Sequence, residues 1–559
     1  MTGWRRFREP LAVIVFVCLL AVLINSLWLV FDLGFWSFDL TNHHVWAIEF
    51  ARAVRQGEVY PRWLRMGFHG LGEPVFLYYS PLMFYATALI RWIVPTTWSA
   101  MAWAETGAVA AAALAGYWAV RRAADWRAAA FAAIVLASAP YLFWCNFYYG
   151  WVGAAFAFPA LAAATAALPS GRPGAINVAL AVAICLTILS HTLTGFMAVM
   201  CLPFFCAAYL GAPPAQAIRR SLALWASIGL GIGLSLFYLY PALLSLSLVS
   251  SDNWTGYYAS DWRRSFALPV VTAMLYGVRW PAVQWGLGIP AVLPILAATF
   301  DLWRRGQRDQ RWWTILGLVT VAWVATLLGS ELSYPLWGLH TPLLNIQYPS
   351  RFIAVMSAAG LLANLLCAAH RWESGERRRA ALLAVPLLLS VMATAGIYAK
   401  MALVDGQPAS RPDDARQTYP GLREYLPRSA APGWSTYVAA GGLPHECETV
   451  GVVCRETGVP RAPAWEIVAP QAVRLRLPLF AFPTWSLTID GAATPVTTDP
   501  ATGLTAVELS PGRHVVAAIW QRLPAEYVGM ALSVGALALL FVACLFGSGF
   551  RRQPAAARV

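Results

Sequence analysis

Charged residues are scarce in this chain of 559 residues: they make up 12% of it, about half of what a soluble protein of this length carries. Lysine is nearly missing, because Lys400 is the only one, and almost all of the net charge of +13 comes from arginine. The chain also lacks CxxC cysteine pairs, internal repeats and low-complexity segments. These absences exclude an ordinary soluble domain, a zinc-ribbon type of metal site and a repeat architecture.

Hydrophobic residues, by contrast, make up 59% of the chain, and the mean hydropathy is +0.57. About 20 consecutive apolar residues cross a bilayer as a helix, and such runs recur throughout the sequence. The first run follows a basic start and has no cleavage site after it, so we interpret it as a retained helix. The candidate segments are 11–31, 76–94, 99–120, 128–145, 151–168, 175–194, 195–211, 222–248, 281–301, 312–329, 351–369, 380–399 and 526–547.

The arginines lie in short clusters between the apolar runs, which is typical of loops on the cytoplasmic side of a membrane and requires no nucleic-acid partner. If every segment crossed, the cluster at Arg121 and most later clusters would lie outside. If 76–94 instead dips into the membrane and returns, or lies at the interface, every cluster lies inside. The threading therefore predicts about twelve crossings, with both termini in the cytoplasm and the potentially reactive polar residues on the outer face. The arginine- and alanine-rich composition favours a bacterial inner membrane.

This threading leaves several longer segments outside, of which 401–525 is the largest; the others are 32–75, 249–280 and 330–350. Within 401–525, the runs "AVRLRLPLFAF", "WSLTID", "TAVELS" and "HVVAAI" alternate as β-strands do, and turn signals separate them. We therefore predict a polytopic α-helical membrane protein of about 12–13 transmembrane segments, with a small periplasmic β-rich domain near the C-terminus. Its parts are a transmembrane domain at 1–400, the β-rich domain at 401–525, and a final helix with a cytoplasmic tail at 526–559.

Two of the nine cysteines, Cys447 and Cys454, lie in this polar outer segment, seven residues apart. Disulfides persist outside the cytoplasm, so we predict that these two cysteines form one. The other seven lie in apolar stretches, where cysteine behaves as a small hydrophobic residue.

The first outer loop, 32–75, is rich in ionisable residues. Asp39 or Thr41 can cap a helix that runs to about Gln56, with Gly57 as its terminator, and its apolar residues predict that it lies at the membrane surface. Aromatic side chains at this depth are usual as interfacial anchors, but a cluster of ionisable side chains is not. That cluster consists of Asp39, His43, His44, Arg62, His69 and Glu73.

Several motifs of the chain resemble a known family. They are Asp39-x-x-x-His43, Tyr60-Pro61-Arg62-Trp63, Gly70-x-Gly72-x-Pro74, Tyr78-Tyr79-Ser80-Pro81-Leu82, Leu189-Ser190-His191, Tyr238-Leu239-Tyr240-Pro241, Gln347-Tyr348-Pro349-Ser350-Arg351-Phe352 and Phe482-Pro483-Thr484-Trp485. Together they resemble the bacterial membrane proteins labelled "6-pyruvoyl-tetrahydropterin synthase-related" and the YfhO-type proteins, which are grouped with the GT-C glycosyltransferase superfamily. The stretch from Gln347 resembles the family signature QFPWRF, from which Tyr348 and Ser350 depart.

The resemblance implies a GT-C-like fold and a transferase that uses a polyprenyl-phosphate sugar as donor and a periplasmic glycan or lipid as acceptor. In that superfamily an acidic residue of the first outer loop is the catalytic base, and the matching residue here is Asp39. Many members carry a second acidic motif further along, for which the candidates here are Glu105, Asp252 and Asp261.

Physical chemistry assigns further roles. A carboxylate can take the proton of an acceptor hydroxyl, worth roughly 10²–10⁴-fold in rate, and in-line attack then inverts the anomeric carbon. Arginine binds two phosphate oxygens at once, so Arg351, and after it Arg62, is expected to hold the donor phosphate. His43 could orient Asp39 or contact the phosphate. The full set of predicted substrate-binding residues is His43, His44, Arg62, His69, Glu105, His191, Gln347 and Arg351.

Two alternatives stay open. A divalent cation held by Asp39, His43 and Glu73 would add a cofactor, since carboxylate and imidazole suit several such ions. A transporter or flippase, or a non-enzymatic assembly factor for lipid-linked glycans, would use the same outer face without transferring a sugar. A transporter would be expected to carry internal repeats, which the sequence lacks.

Overall fold

Helices dominate the first 400 residues of the protein, and a β-sheet region and one last helix follow them. The computed structural model describes residues 2–31, 33–34, 38–146, 151–170, 174–252, 262–279, 281–306, 308–339, 342–405, 407–408, 421–433, 451–458 and 462–547. The described helices of nine or more residues are α1 (Thr2–Ile24), α2 (Phe38–Arg55), α3 (Leu82–Ile90), α4 (Thr97–Arg121), α5 (Trp126–Ala137), α6 (Val152–Ala167), α7 (Val178–Ser190), α8 (Thr192–Cys201), α9 (Pro214–Leu234), α10 (Leu236–Leu244), α11 (Gly288–Trp303), α12 (Gln310–Gly329), α13 (Ile353–Glu373), α14 (Arg377–Lys400) and α15 (Pro524–Gly547).

Seven described helical stretches are long and apolar enough to cross a membrane, so the chain is a multi-pass membrane protein. They are Trp126–Trp144, Val152–Ser170, Thr192–Tyr209, Gln310–Gly329, Pro349–Glu373, Arg377–Val404 and Pro524–Leu545. The pair α9 and α10, bent by 74°, would make an eighth. Three shorter apolar helical stretches, Leu11–Ile24, Val178–Ser190 and Gly288–Trp303, fall on predicted segments. The described part thus has fewer full-length spans than the 12–13 segments predicted, because several of those segments are short or broken.

The predicted segment 76–94 is one of the broken ones. A short helix ends at Tyr78, because Tyr79 is extended (φ −94°, ψ 140°), and α3 begins only after Pro81. The nine residues of α3 rise about 13 Å, well short of the ~30 Å of hydrocarbon in a bilayer. Neither helical piece of this segment is therefore long enough to cross a bilayer by itself, while the threading and the side on which each loop lies stay predictions.

The β-region contains two antiparallel sheets of five and three strands, ordered β3-β4-β10-β6-β7 and β5-β9-β8. Their strands are β3 (Val453–Glu456), β4 (Ala464–Ala469), β5 (Val473–Phe480), β6 (Trp485–Ile489), β7 (Ala492–Thr494), β8 (Thr497–Thr498), β9 (Leu504–Leu509) and β10 (Gly512–Trp520). A separate two-residue ladder pairs β1 (Leu33–Gly34) with β2 (Gln407–Pro408).

The four runs predicted as strands form β5, β6, β9 and β10, and the predicted Asp490-Gly491 turn joins β6 to β7 with positive φ at both residues, 52° and 82°. The prediction missed β4, although its burial also alternates. Cys454 of β3 forms a disulfide bond. Its predicted partner, Cys447, lies outside the described residues, so that pairing stays a prediction.

The helix predicted in the first loop exists but is buried rather than lying at a surface. α2 ends at Arg55, and Gly57 follows with φ +87°, as a terminator requires. Every residue from 42 to 51 is buried. The polar side of α2 is covered by the rest of the loop, where Glu49 accepts hydrogen bonds from the main-chain N–H groups of Arg65 and Met66 at 2.8 and 3.1 Å. The surface prediction was wrong because the sequence of α2 alone cannot reveal this cover.

The β-region docks on the same loop through Trp63. The Trp63 ring lies 5.3 Å from Trp485, 5.6 Å from Trp520 and 5.8 Å from Phe482. Arg65 adds an ion pair to Glu456 at 3.0 Å. The first loop therefore links the membrane helices to the β-region.

Candidate functional site

One cavity of about 350 Å³ gathers five of the residues that the sequence singled out. They come from the first loop, from the junction of α7 and α8, and from the stretch before α13, and they are Asp39, His43, His191, Gln347 and Arg351. The other lining residues are Asn42, Trp46, Tyr78, Tyr79, Ser80, Trp151, Ala154, Thr192, Leu193, Arg279, Tyr348, Leu422, Glu424 and Tyr425. The cavity thus combines carboxylates, imidazoles and guanidinium groups with aromatic rings.

Asp39 lies in the first turn of α2, where the partial positive charge of a helix N-terminus favours an anion. Its carboxylate accepts a hydrogen bond from the indole N–H of Trp151. Burial raises the pKa of the Asp39 carboxyl, and His43, the Trp151 hydrogen bond and the Arg351 charge only partly oppose this effect. A carboxylate with a raised pKa is a better proton acceptor near neutral pH than an exposed one.

His43 lies one helical turn after Asp39 and has both ring nitrogens engaged. Its Nδ1 is 2.6 Å from the main-chain oxygen of Asp39, and its Nε2 is 2.6 Å from the hydroxyl of Tyr79. A carbonyl oxygen only accepts, so Nδ1 carries a proton. Burial lowers the pKa of His43, which favours the neutral ring, and Nε2 then accepts from the Tyr79 hydroxyl. This chain of two hydrogen bonds fixes the start of α2 against the Tyr79 loop.

The break between α7 and α8 brings His191 to the cavity. The main-chain N–H of Thr192 donates to Ser80 Oγ at 2.9 Å, so the loop after Tyr79 holds the broken chain in place. His191 caps α8 by accepting the N–H of Thr194 at its Nδ1, at 3.3 Å. Because Nδ1 accepts, the neutral ring of His191 carries its proton on Nε2.

Arg351 rests on two aromatic rings. Trp151 and Tyr348 are stacked 6.2 Å apart at an interplanar angle of 3°, and the guanidinium carbon of Arg351 lies 5.2 and 4.9 Å from their centroids. One of its N–H groups donates to the carbonyl of Ile346 at 2.8 Å. No salt bridge between described residues includes Arg351. Arg279 lies 5.3 Å from the same Tyr348 ring, so two cations line this side of the cavity.

Gln347, between these groups, has a strained main chain. Its φ is +68°, a conformation that a residue with a Cβ seldom adopts. Such strain is retained where surrounding contacts hold it, and it is commonest at functional sites. The sequence pointed to Gln347 only through its motif.

Glu424 is a cavity residue that the sequence did not identify. Burial, together with the nearby charge of Asp39, raises the pKa of the Glu424 carboxyl to about 7. Its Oε2 is buried and has no hydrogen-bond partner among the described residues. No motif or periodicity marks this residue, because it lies in an irregular segment, 421–433, that only the tertiary structure brings to the cavity.

The predicted second acidic residues are elsewhere. Asp252 is exposed and pairs with Arg428 at 3.0 Å, and Asp261 lies outside the described residues. Glu105 is buried within α4 and does not line the cavity. The second carboxylate beside Asp39 is therefore Glu424.

Three more of the predicted substrate-binding residues also lie outside the cavity. Arg62 forms a buried ion pair with Glu526, with Nη2 and Oε2 2.8 Å apart. His44 is buried with its ring edge-on to Trp98 at 5.4 Å. His69 lies in a turn with φ +57°. The sequence around these three residues does not indicate whether their side chains face the cavity.

The trio proposed for a divalent cation does not form a ligand set. Both nitrogens of His43 are engaged, and the carboxylate of Glu73 accepts hydrogen bonds from the main chain of Leu422 and from Trp46. Within the described ranges, no three His, Cys, Asp or Glu side chains are grouped as metal ligands.

Several solved structures are similar to this chain, and two of them are described here, whereas no protein-family model and no curated protein matches it. One is the cryo-EM structure of arabinofuranosyltransferase AftD from Mycobacteria, with a TM-score of 0.40 and 14% identity over 71% of this chain. The chain spans only 27% of AftD. The other is the crystal structure of ArnT from Cupriavidus metallidurans bound to undecaprenyl phosphate, with a TM-score of 0.32 and 17% identity over 67% of this chain and 80% of ArnT.

Proposed function

We propose that the protein is a membrane glycosyltransferase that moves a sugar from a polyprenyl-phosphate donor to a glycan or lipid acceptor, on the outer face of a bacterial inner membrane. The observation that carries this proposal is that a half-buried carboxylate, Asp39, and a guanidinium without an ion pair among the described residues, Arg351, line one cavity rich in aromatic rings. Transfer from a lipid phosphate needs a base for the acceptor and a cation for the leaving phosphate.

In the proposed reaction, Asp39 takes the proton of an acceptor hydroxyl while the hydroxyl oxygen attacks the anomeric carbon. The bond between that oxygen and the carbon forms as the bond from the carbon to the phosphate oxygen breaks on the opposite side, so the configuration inverts. The electron pair leaves with the polyprenyl phosphate, whose added charge Arg351 and Arg279 stabilise. The Nε2–H of His191 is a further donor for the phosphate.

His43 is a positioning residue in this mechanism. It bonds to the main-chain oxygen of Asp39 rather than to the carboxylate, so it does not receive the acceptor's proton through that contact. Its second bond, to the Tyr79 hydroxyl, ties the start of α2 to the loop that also holds the break before α8. Together these bonds set the place of Asp39 relative to His191.

The test compares wild type, Asp39→Asn and the control Glu58→Gln, each purified in lipid, for release of polyprenyl phosphate from a panel of lipid-linked sugars with acceptors. Glu58→Gln removes a carboxylate from the same loop but outside the cavity. We expect release by wild type and the control, and a rate roughly 10²–10⁴-fold lower for Asp39→Asn. Wild-type rates in a well-folded Asp39→Asn variant would contradict the role of Asp39. If wild type binds the lipid phosphate but releases nothing from any donor, the transporter or assembly alternative is favoured.

A further inference from the structure

The segment 421–433 is firmly attached where it borders the cavity. The main-chain N–H of Ser250 donates to the carbonyl of Leu426 at 2.9 Å, so the segment bonds to the loop after α10. The Tyr425 ring stacks on Tyr78 at 6.2 Å and 19°. The cavity wall made by this segment is thus built by the stretch that leads into the β-region.

Gly421, at the start of the segment, requires close contact with the first loop. Its φ is +74°, and a Cβ there would lie 2.7 Å from the Phe68 ring. Glu73 of the same loop accepts a hydrogen bond from the main chain of Leu422. These contacts fix the residues on either side of Glu424, so its carboxylate is held at the cavity by main-chain packing.

Charge is divided between two sides of the cavity. Arg351 and Arg279 share the Tyr348 ring on one side. Glu424 has the carboxylates of Asp39 and Glu73 as its charged neighbours instead, and no described salt bridge includes it. A phosphate fits the arginine side, whereas the Glu424 side repels a second anion and accepts hydrogen bonds from hydroxyl or ammonium groups.

We propose that the 421–433 segment forms the acceptor subsite of the cavity, and that Glu424 selects an acceptor sugar that is neutral or carries an amine over one that carries a carboxylate. The inference rests on the proposed sugar transfer, because only a transferase has an acceptor. The carboxylate of Glu424, which lines the cavity and whose Oε2 has no partner among the described residues, is the group that takes the acceptor's hydrogen bond. Tyr425 and Trp46 line the cavity beside Glu424.

The test measures binding of three probes that differ in one group, namely methyl β-glucoside, methyl β-glucosaminide and methyl β-glucuronide, to the full-length protein in lipid nanodiscs by saturation-transfer NMR. Undecaprenyl phosphate binding is measured in parallel. The variants are Glu424→Gln and the control Arg428→Gln, which removes a side chain of the same segment that is bonded to Ser247 and Asp252 outside the cavity.

For wild type and Arg428→Gln, we expect the glucoside and the glucosaminide to bind and the glucuronide to bind at least about tenfold more weakly, since a like charge costs 1.4 kcal/mol or more. Glu424→Gln should remove this discrimination and leave undecaprenyl phosphate binding within about twofold of wild type. The discrimination of wild type against the glucuronide, whose carboxylate is ionised throughout, should also grow from pH 6 to pH 8. Over that range Glu424, faced by Asp39, Glu73 and Tyr425, loses its proton, and Glu424→Gln should respond less.

The proposal is overturned if Glu424→Gln keeps the wild-type order of the three probes, if wild type binds none of them, or if the variant instead loses undecaprenyl phosphate. Failure of the proposed function looks different. Wild type would then release no polyprenyl phosphate from any donor, while the charge-dependent order of the three probes and its loss in Glu424→Gln would persist. In that event the subsite is a glycan-binding site of a non-enzymatic protein.

Discussion

Arg62 was predicted from the sequence to bind the donor phosphate, but in the structure it forms a buried ion pair with Glu526. This ion pair can be tested directly. Arg62 Nε and Nη2 both reach Glu526 Oε2, at 2.9 and 2.8 Å, and the guanidinium carbon lies 3.5 Å from the centroid of Tyr60. Glu526 Oε1 accepts the N–H of Leu523 at the start of α15. Both charged side chains are at most 6% exposed. The pair therefore fastens the first loop to the last helix.

Removing one charge leaves the other buried without its partner, which costs about 3–5 kcal/mol. We expect that loss in the free energy of unfolding for Glu526→Gln, which keeps the size of the side chain and the acceptor for Leu523. The double variant Arg62→Met, Glu526→Gln should recover a large part of it, because no unpaired charge remains. The measurement is reversible unfolding in mixed SDS and detergent micelles, analysed as a double-mutant cycle.

Two results would refute this reasoning. A Glu526→Gln variant within about 1 kcal/mol of wild type would mean that the pair does not form as described. An Arg62→Met variant as stable as wild type but unable to bind undecaprenyl phosphate would restore Arg62 as a phosphate-binding residue, as the sequence predicted. The expected outcome is the reverse, with stability lost and lipid-phosphate binding retained in the fraction that stays folded.

Two further predictions concern the first loop. Tyr79→Phe removes the hydrogen-bond donor to His43 Nε2 and leaves that buried atom unpaired, which costs about 1–3 kcal/mol. We therefore expect a sugar-transfer rate at least about tenfold lower, with unchanged undecaprenyl phosphate binding. An unchanged transfer rate would contradict the positioning role of His43. Gly72→Ala places a Cβ in steric overlap with the Trp63 indole at a position with φ +85°, so we expect little folded protein by size-exclusion chromatography. Gly57→Ala, with φ +87° but open space, is the matched control and should fold with a cost of about 1 kcal/mol; equal yields of the two variants would contradict the steric argument.

Features that depend on neighbouring residues were predictable. The apolar runs, the four strand-like runs and the first-loop helix ending before Gly57 all follow from local periodicity and turn chemistry, which act within a few residues. Predictions failed where the position of an element depended on residues far away in the sequence. The surface position predicted for α2 was wrong, because Glu49 and its neighbours are covered by residues further along the chain.

The candidate site divides in the same way. Motif resemblance and residue chemistry brought out Asp39, His191 and Arg351, and the structure brings these three together in one cavity. The sequence could not distinguish Arg62 from these three residues, because a buried arginine has the same sequence pattern whether its partner is a lipid phosphate or Glu526, 464 residues away.

Composition and local pattern alone determined that this protein lies in a membrane, carries a β-rich region before its last helix and has a first loop rich in ionisable residues. The tertiary structure alone decided which ionisable residues line the cavity and which instead stabilise the fold. It also decided that Glu424, from a segment with no sequence signal, is the second carboxylate beside Asp39. The physical reason is that side-chain direction and long-range neighbours come from the packing of distant segments, and such packing leaves no periodicity in the residues that take part in it.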